Sequence, residues 1–114
     1  MKRYNGYKWS GLLLLLTLFC ACRTAKLSDA EEKQRIGEYY EAAAIYRKVY
    51  TKTSPNKRDL RGYIAFRMAE CNRLVNNTGK AISGYTNAIR YDYPDSVSYL
   101  RLAQMQHKNG QYAE

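Results

Sequence analysis

The residues able to do chemistry are few: one histidine, His107, and three cysteines, Cys20, Cys22 and Cys71. A hydrolytic or group-transfer centre needs a nucleophile, a base and an orienting acid within hydrogen-bond reach of one another. Cys71 and His107 lie a full repeat apart, and the serines and carboxylates are scattered, so no such set can be read from the chain. Neither closely spaced His/Asp metal ligands nor a glycine-rich phosphate loop occurs. The expectation is a protein that is not an enzyme and uses no cofactor and no metal. What remains is recognition chemistry. Tyr63, Phe66, Arg67, Glu70 and Arg73, and then Leu100, Arg101, Gln104, His107 and Lys108, interleave rings or apolar side chains with guanidiniums and amines. Arginine forks onto carboxylates and tyrosine supplies apolar area, a combination suited to an acidic or carboxylate-bearing peptide.

Those residues act together only if helices bring them to one face, and the sequence carries the periodicity for it. Ala69 and Ala103 lie 34 residues apart, with Phe66/Leu100, Arg67/Arg101, Met68/Leu102, Asn76/Gly110 and Thr78/Tyr112 in step. An offset of 39 pairs Ala30 with Ala69, Ala42 with Ala81, Tyr46 with Tyr85, Val49 with Ala88 and Pro55 with Pro94. Apolar residues recurring at three- and four-residue steps predict helices at about Ser28 to Ile36, Tyr39 to Thr51, Arg58 to Val75, Gly79 to Arg90 and Ser96 to Lys108. A sixth helix would be starting at the last residues. Gly37, Asn76-Asn77 and Gly110 supply turns, and Pro55 and Pro94 stop the second helix of each pair. Asp95 or Ser96, after Pro94, is a natural helix N-cap. Alanines on facing helices allow close backbone approach. Cys71 reads as a small hydrophobe filling the core.

The 34-residue period, with small residues at these places, resembles the tetratricopeptide repeat, a helix–turn–helix unit that stacks into an α-solenoid. The resemblance covers residues 28–114 and implies an all-α fold with a third unit lacking its second helix. It also implies a concave groove lined by the first helix of each pair, displaying the two sets of residues named above. Leu27 and Glu31 stand where the chaperone-type carboxylate clamp has its first lysine and asparagine, which disfavours that clamp. The run Lys52, Lys57, Arg58 and Arg61 reads as a solvated connection.

The N-terminus reads differently. Lys2, Arg3 and Lys8 precede an apolar run from Gly11 to Phe19, shorter than the about 20 residues a bilayer span needs. A basic lead, a short apolar core and a small-residue exit describe a secretory signal. Leu18-Phe19-Cys20-Ala21-Cys22 further resembles a bacterial lipobox. That resemblance implies a signal over residues 1–21, lipidation of Cys22, and a tether over residues 22–27. An ordinary signal cut near Ala21 or Ala25 is the alternative. Arg23 follows the cysteine where an aspartate would mark inner-membrane retention, so the resemblance points to the outer membrane, and the lack of an acidic export tether just after the cysteine makes periplasm-facing the expected orientation. Loss of the signal takes the formal charge from +9 to +6. Acidic partners or anionic headgroups are then better expectations than nucleic acid.

From Gly37 to the end, Tyr39-Tyr40-Glu41-Ala42-Ala43, Ala69-Glu70-Cys71-Asn72-Arg73, Asn76-Asn77-Thr78, Ala88-Ile89-Arg90-Tyr91 and Tyr99-Leu100-Arg101-Leu102-Ala103-Gln104 resemble a known family segment. It is the N-terminal segment of the OmpA-family lipoproteins tied to type IX secretion and envelope organisation. The resemblance implies a scaffold that holds a protein or peptide partner. In that family peptidoglycan is bound by later domains, and none of their motifs is present in this sequence. A passive spacer and a soluble periplasmic peptide-binding chaperone are the alternatives.

Overall fold

The structure is a computed structural model that describes residues 24–110. Residues 1–23, which hold the expected signal and Cys22, and residues 111–114, where a sixth helix is expected to start, lie outside the described residues. Within them the chain is all-α: α1 Leu27–Arg35, α2 Tyr39–Lys52, α3 Arg58–Leu74, α4 Thr78–Arg90 and α5 Ser96–Lys108. Each helix packs on its neighbours in the chain. The first helix begins at Leu27, inside the span expected to be a tether.

Local chemistry sets the ends of these helices. Gly37 and Asn76 take left-handed backbone, at φ +84 and +60, just past α1 and α3. The next amides reach back across the last turn, Glu38 N–H to the Lys33 carbonyl at 2.9 Å and Asn77 N–H to the Asn72 carbonyl at 2.8 Å. Such closure satisfies carbonyls a helix end leaves orphaned and reverses the chain within three residues. Asp92 closes α4 in the same way at φ +57, with Tyr93 N–H on the Ala88 carbonyl. At the helix starts, the Asp95 carboxylate accepts from Val97 N–H at 2.9 Å, and the Asn77 side chain accepts from Lys80 N–H. Asp95 is thus the N-cap of α5, and Asn76-Asn77 is a turn that leads into α4 at Thr78.

Two apolar clusters share α3. The first buries Ala30, Ala42, Ala43 and Tyr46 against Ile64 and Cys71 of α3. The second buries Ala69, on another side of α3, with Ala81, Tyr85 and Met105. Four of the alanines matched between units, Ala30, Ala42, Ala69 and Ala81, are fully buried. Ala103 is not: α5 turns Ser98 and Met105 inward and leaves Tyr99, Leu100 and Ala103 exposed. Its match with Ala69 is therefore one of sequence position, since α4 covers Ala69 and no described helix covers Ala103.

Glycines decide how near the helices come. A Cβ placed on Gly84 of α4 would stand 2.7 Å from the Ala69 Cβ and 3.2 Å from the Ala65 carbonyl oxygen, so α3 and α4 touch backbone to side chain there. At Gly62 an added Cβ would meet the Tyr91 and Tyr93 Cβ atoms at 3.3 and 3.2 Å, which lets the loop after α4 lie on α3. Tyr93 then stacks on Phe66, with centroids 4.9 Å apart.

Candidate functional site: the α3–α5 face

The site residues expected from sequence divide between α3 and α5, which two polar contacts tie together. Arg101 of α5 approaches the Glu70 carboxylate at 3.4 Å, and Lys108 Nζ donates to Asn76 Oδ1 at 2.9 Å. A third contact joins α1 to α3, where Tyr63 Oη donates to Glu31 at 2.8 Å. These pairs lie 31 or 32 residues apart, close to the repeat spacing, and set α1, α3 and α5 side by side.

Glu70 is the hub of the face. It accepts from Arg73 at 2.9 Å and from the buried Tyr85 hydroxyl, and it faces Arg101. Partial burial disfavours its charge, but the hydrogen bonds from Arg73 and Tyr85 outweigh that cost and hold its pKa below the usual carboxylate range. Burial and the bond to Glu70 push the Tyr85 phenol up, so it stays a neutral donor. Burial, reinforced by Glu31, raises Tyr63 to about 12.

A carboxylate with a depressed folded-state pKa adds stability above its unfolded pKa of about 4.3, and that stability is lost as pH falls through the lower folded value. The melting temperature of the protein should therefore fall on acidification below about pH 4, and Glu70→Gln should flatten that acid limb while lowering the plateau near neutral pH. A Glu70→Gln acid limb as steep as that of the parent would remove Glu70 from the cause. Melting followed by circular dichroism across pH reads both.

Arg67 is placed differently from Arg73 and Arg101. Its guanidinium makes one long hydrogen bond, 3.5 Å to the Tyr46 hydroxyl, and lies 5.8 Å from the Tyr63 ring centre. Five donors are thus held between two rings with little carboxylate in reach. Phe66 is half-buried against Tyr85 and Tyr93, so it props the face from below. Leu100, Gln104, His107 and Lys108 are exposed along α5. Cys71 is fully buried, and that burial raises its thiol to about 11, the behaviour of a packed hydrophobe.

Some structural roles were not legible in the sequence. Arg61, read as part of a solvated connection, donates to the Tyr50 and Thr53 carbonyls at the end of α2, its guanidinium carbon 4.0 Å from the Tyr50 ring centre. Arg58 donates to the Arg90 carbonyl at the end of α4 and pairs with Asp92 at 2.9 Å. Both arginines place positive charge on helix C-termini, where the macrodipole favours it. The 34-residue spacing of Arg58 and Asp92 was the one available signal.

No protein-family model, curated protein or solved structure matches the chain. The class that the described residues define is an all-α array of sequentially packed helices. No group of metal-binding side chains occurs among them, and no helix among them is long and apolar enough to cross a membrane.

Proposed function

We propose that this chain is a tetratricopeptide-type scaffold, lipid-anchored at Cys22 to a bacterial outer membrane and facing the periplasm, that holds an acidic peptide segment of an envelope-assembly partner. The reading takes the protein to be a binding module of the OmpA-type, secretion-associated lipoprotein class and not an enzyme. The observation that carries it is the side-by-side setting of α3 and α5, in which Arg73 and Arg101 meet Glu70 and Lys108 bonds Asn76, with Arg67 on the same helix as Glu70. Against these four cations stand Glu70 and Glu31, the latter bonded to Tyr63, so that face is net positive. Arg67 is the residue with donors to spare, so it is assigned first contact with a partner carboxylate; Leu100 and Gln104 supply the rim.

Fluorescence anisotropy with acidic peptides and their glutamine counterparts tests the groove. Arg67→Ala/Arg101→Ala should weaken the acidic peptides by about tenfold or more, since each charge-assisted hydrogen bond is worth about 1.5–3 kcal/mol. The exposed pair Arg35→Ala/Lys80→Ala should leave binding unchanged. Equal binding of acidic and neutral peptides would favour a spacer without a groove ligand. The anchor is tested separately by metabolic labelling with a fatty-acid analogue. Cys22→Ser should abolish the label, and label surviving that substitution would overturn the assignment.

A further inference from the structure

We propose that one end of the array, formed by the last turns of α2 and α4 and the first turn of α3, docks on an anionic bilayer surface. The proposal builds on the membrane-tethered reading above, although its test needs no lipid on the chain. Three contacts show that these termini meet: Arg61 on the carbonyls ending α2, Arg58 on the carbonyl ending α4, and the Tyr50 and Tyr91 rings at 6.5 Å. Arg61 lies between those rings, 4.0 and 5.2 Å from their centres, so the end is a fixed surface.

The excess of basic over acidic residues is greatest at this end. Lys26, Lys48, Lys52, Lys57, Arg58 and Arg90 gather at this end, all exposed. Only Arg58 among the six has an ion-pair partner among the described residues. The acids at this end are Asp29, Asp59, Asp92 and Asp95, of which Asp92 is taken by Arg58 and Asp95 by the start of α5, and the basic residues outnumber them. Glu32, Glu38 and Glu70 belong to the other half, where they pair with Arg35, Lys33 and Arg73.

The path of the chain selects a membrane over an acidic protein as the occupant. The turn at Gly37 makes α1 antiparallel to α2, and the Tyr46–Gln34 bond sets their register. Leu27 therefore stands near the last turn of α2 and shares its apolar cluster with Val49 and Tyr50. Residues 24–26 thus enter the fold at the basic end, so a tether leading from a bilayer would hold that end toward the headgroups. Lysines within a Debye length of an anionic surface are attracted additively, and salt weakens the attraction.

The test is cosedimentation of the mature chain, residues 22–114 carrying Cys22→Ser, with phosphatidylcholine vesicles and with vesicles one-third phosphatidylglycerol. Two further variants each lose three lysines: Lys48→Gln/Lys52→Gln/Lys57→Gln at the basic end and Lys33→Gln/Lys80→Gln/Lys108→Gln elsewhere. The first should lower partition onto the phosphatidylglycerol vesicles by about tenfold or more, and the second by less than about twofold. Equal losses would reduce the effect to net charge, and no loss would remove these lysines from the surface contact; either result overturns the proposal. The fatty-acid label on Cys22 and the peptide anisotropy judge the anchor and the groove independently.

Discussion

Gly84→Val should lower the unfolding free energy by about 3 kcal/mol, because there is no room for its side chain between α3 and α4. An added Cβ already falls 2.7 Å from the Ala69 Cβ and 3.1 Å from the Ala69 Cα. Relief would require α4 to move off α3, which would uncover Ala81, Tyr85 and Ala88 along the same face. Valine also brings a better helix propensity than glycine, and the strain exceeds that gain of a few tenths of a kcal/mol. In a chain of this size the loss corresponds to about 15 °C in melting temperature. Gly79→Ala, where nothing lies within 4 Å of the added carbon, is the control and should be neutral or slightly stabilising. A Gly84→Val melting point within a few degrees of the parent would contradict the close approach of these helices.

Tyr85→Ala should cost more, about 4 kcal/mol, since it removes a large fully buried side chain and leaves a cavity. Its ring packs edge-on against Phe66 at 6.0 Å, and its hydroxyl is one of two neutral or charged donors satisfying Glu70 from within the same unit. Tyr85→Phe keeps the ring and deletes that hydrogen bond, so about 1.5 kcal/mol is expected. The same deletion should raise the Glu70 pKa toward the ordinary carboxylate value, because one of the bonds holding it down is gone. A double-mutant cycle of Tyr85→Phe with Glu70→Gln isolates the pair, and a coupling energy of about 1 kcal/mol or more is expected for groups in direct contact. Additive effects would mean that the hydroxyl and the carboxylate do not interact. Denaturant unfolding of the variants supplies each free energy.

Much of the fold was open to reading because it is local. Gly37 and Asn76 announce turns through the backbone that they tolerate, Asp95 announces a helix start, and the three- and four-residue steps of α2 and α4 announce helices. Helix ends agree with these readings to within a residue or two. The candidate face was legible in part. Spacing placed Arg67, Glu70 and Arg101 on first helices, but no spacing rule says that Glu70 holds Arg73, Arg101 and Tyr85 at once while Arg67 keeps its donors. Arg58 and Arg61 looked like solvated charge for the same reason. Apart from Asp92, their partners are backbone carbonyls at the ends of other helices, and those carry no sequence signature.

The sequence by itself determined which segments are helical, where they turn and which small residues recur, because backbone preference and local hydrogen bonding are written within a few residues. Tertiary structure alone decided how those pieces are used. Gly84 and Gly62 became contact points because other backbones press on them, Ala69 was buried while its counterpart Ala103 was left exposed, and basic residues from α2, α3 and α4 met at one end. Such outcomes depend on which helix lies opposite, and that is a property of the packed chain and of no window along it.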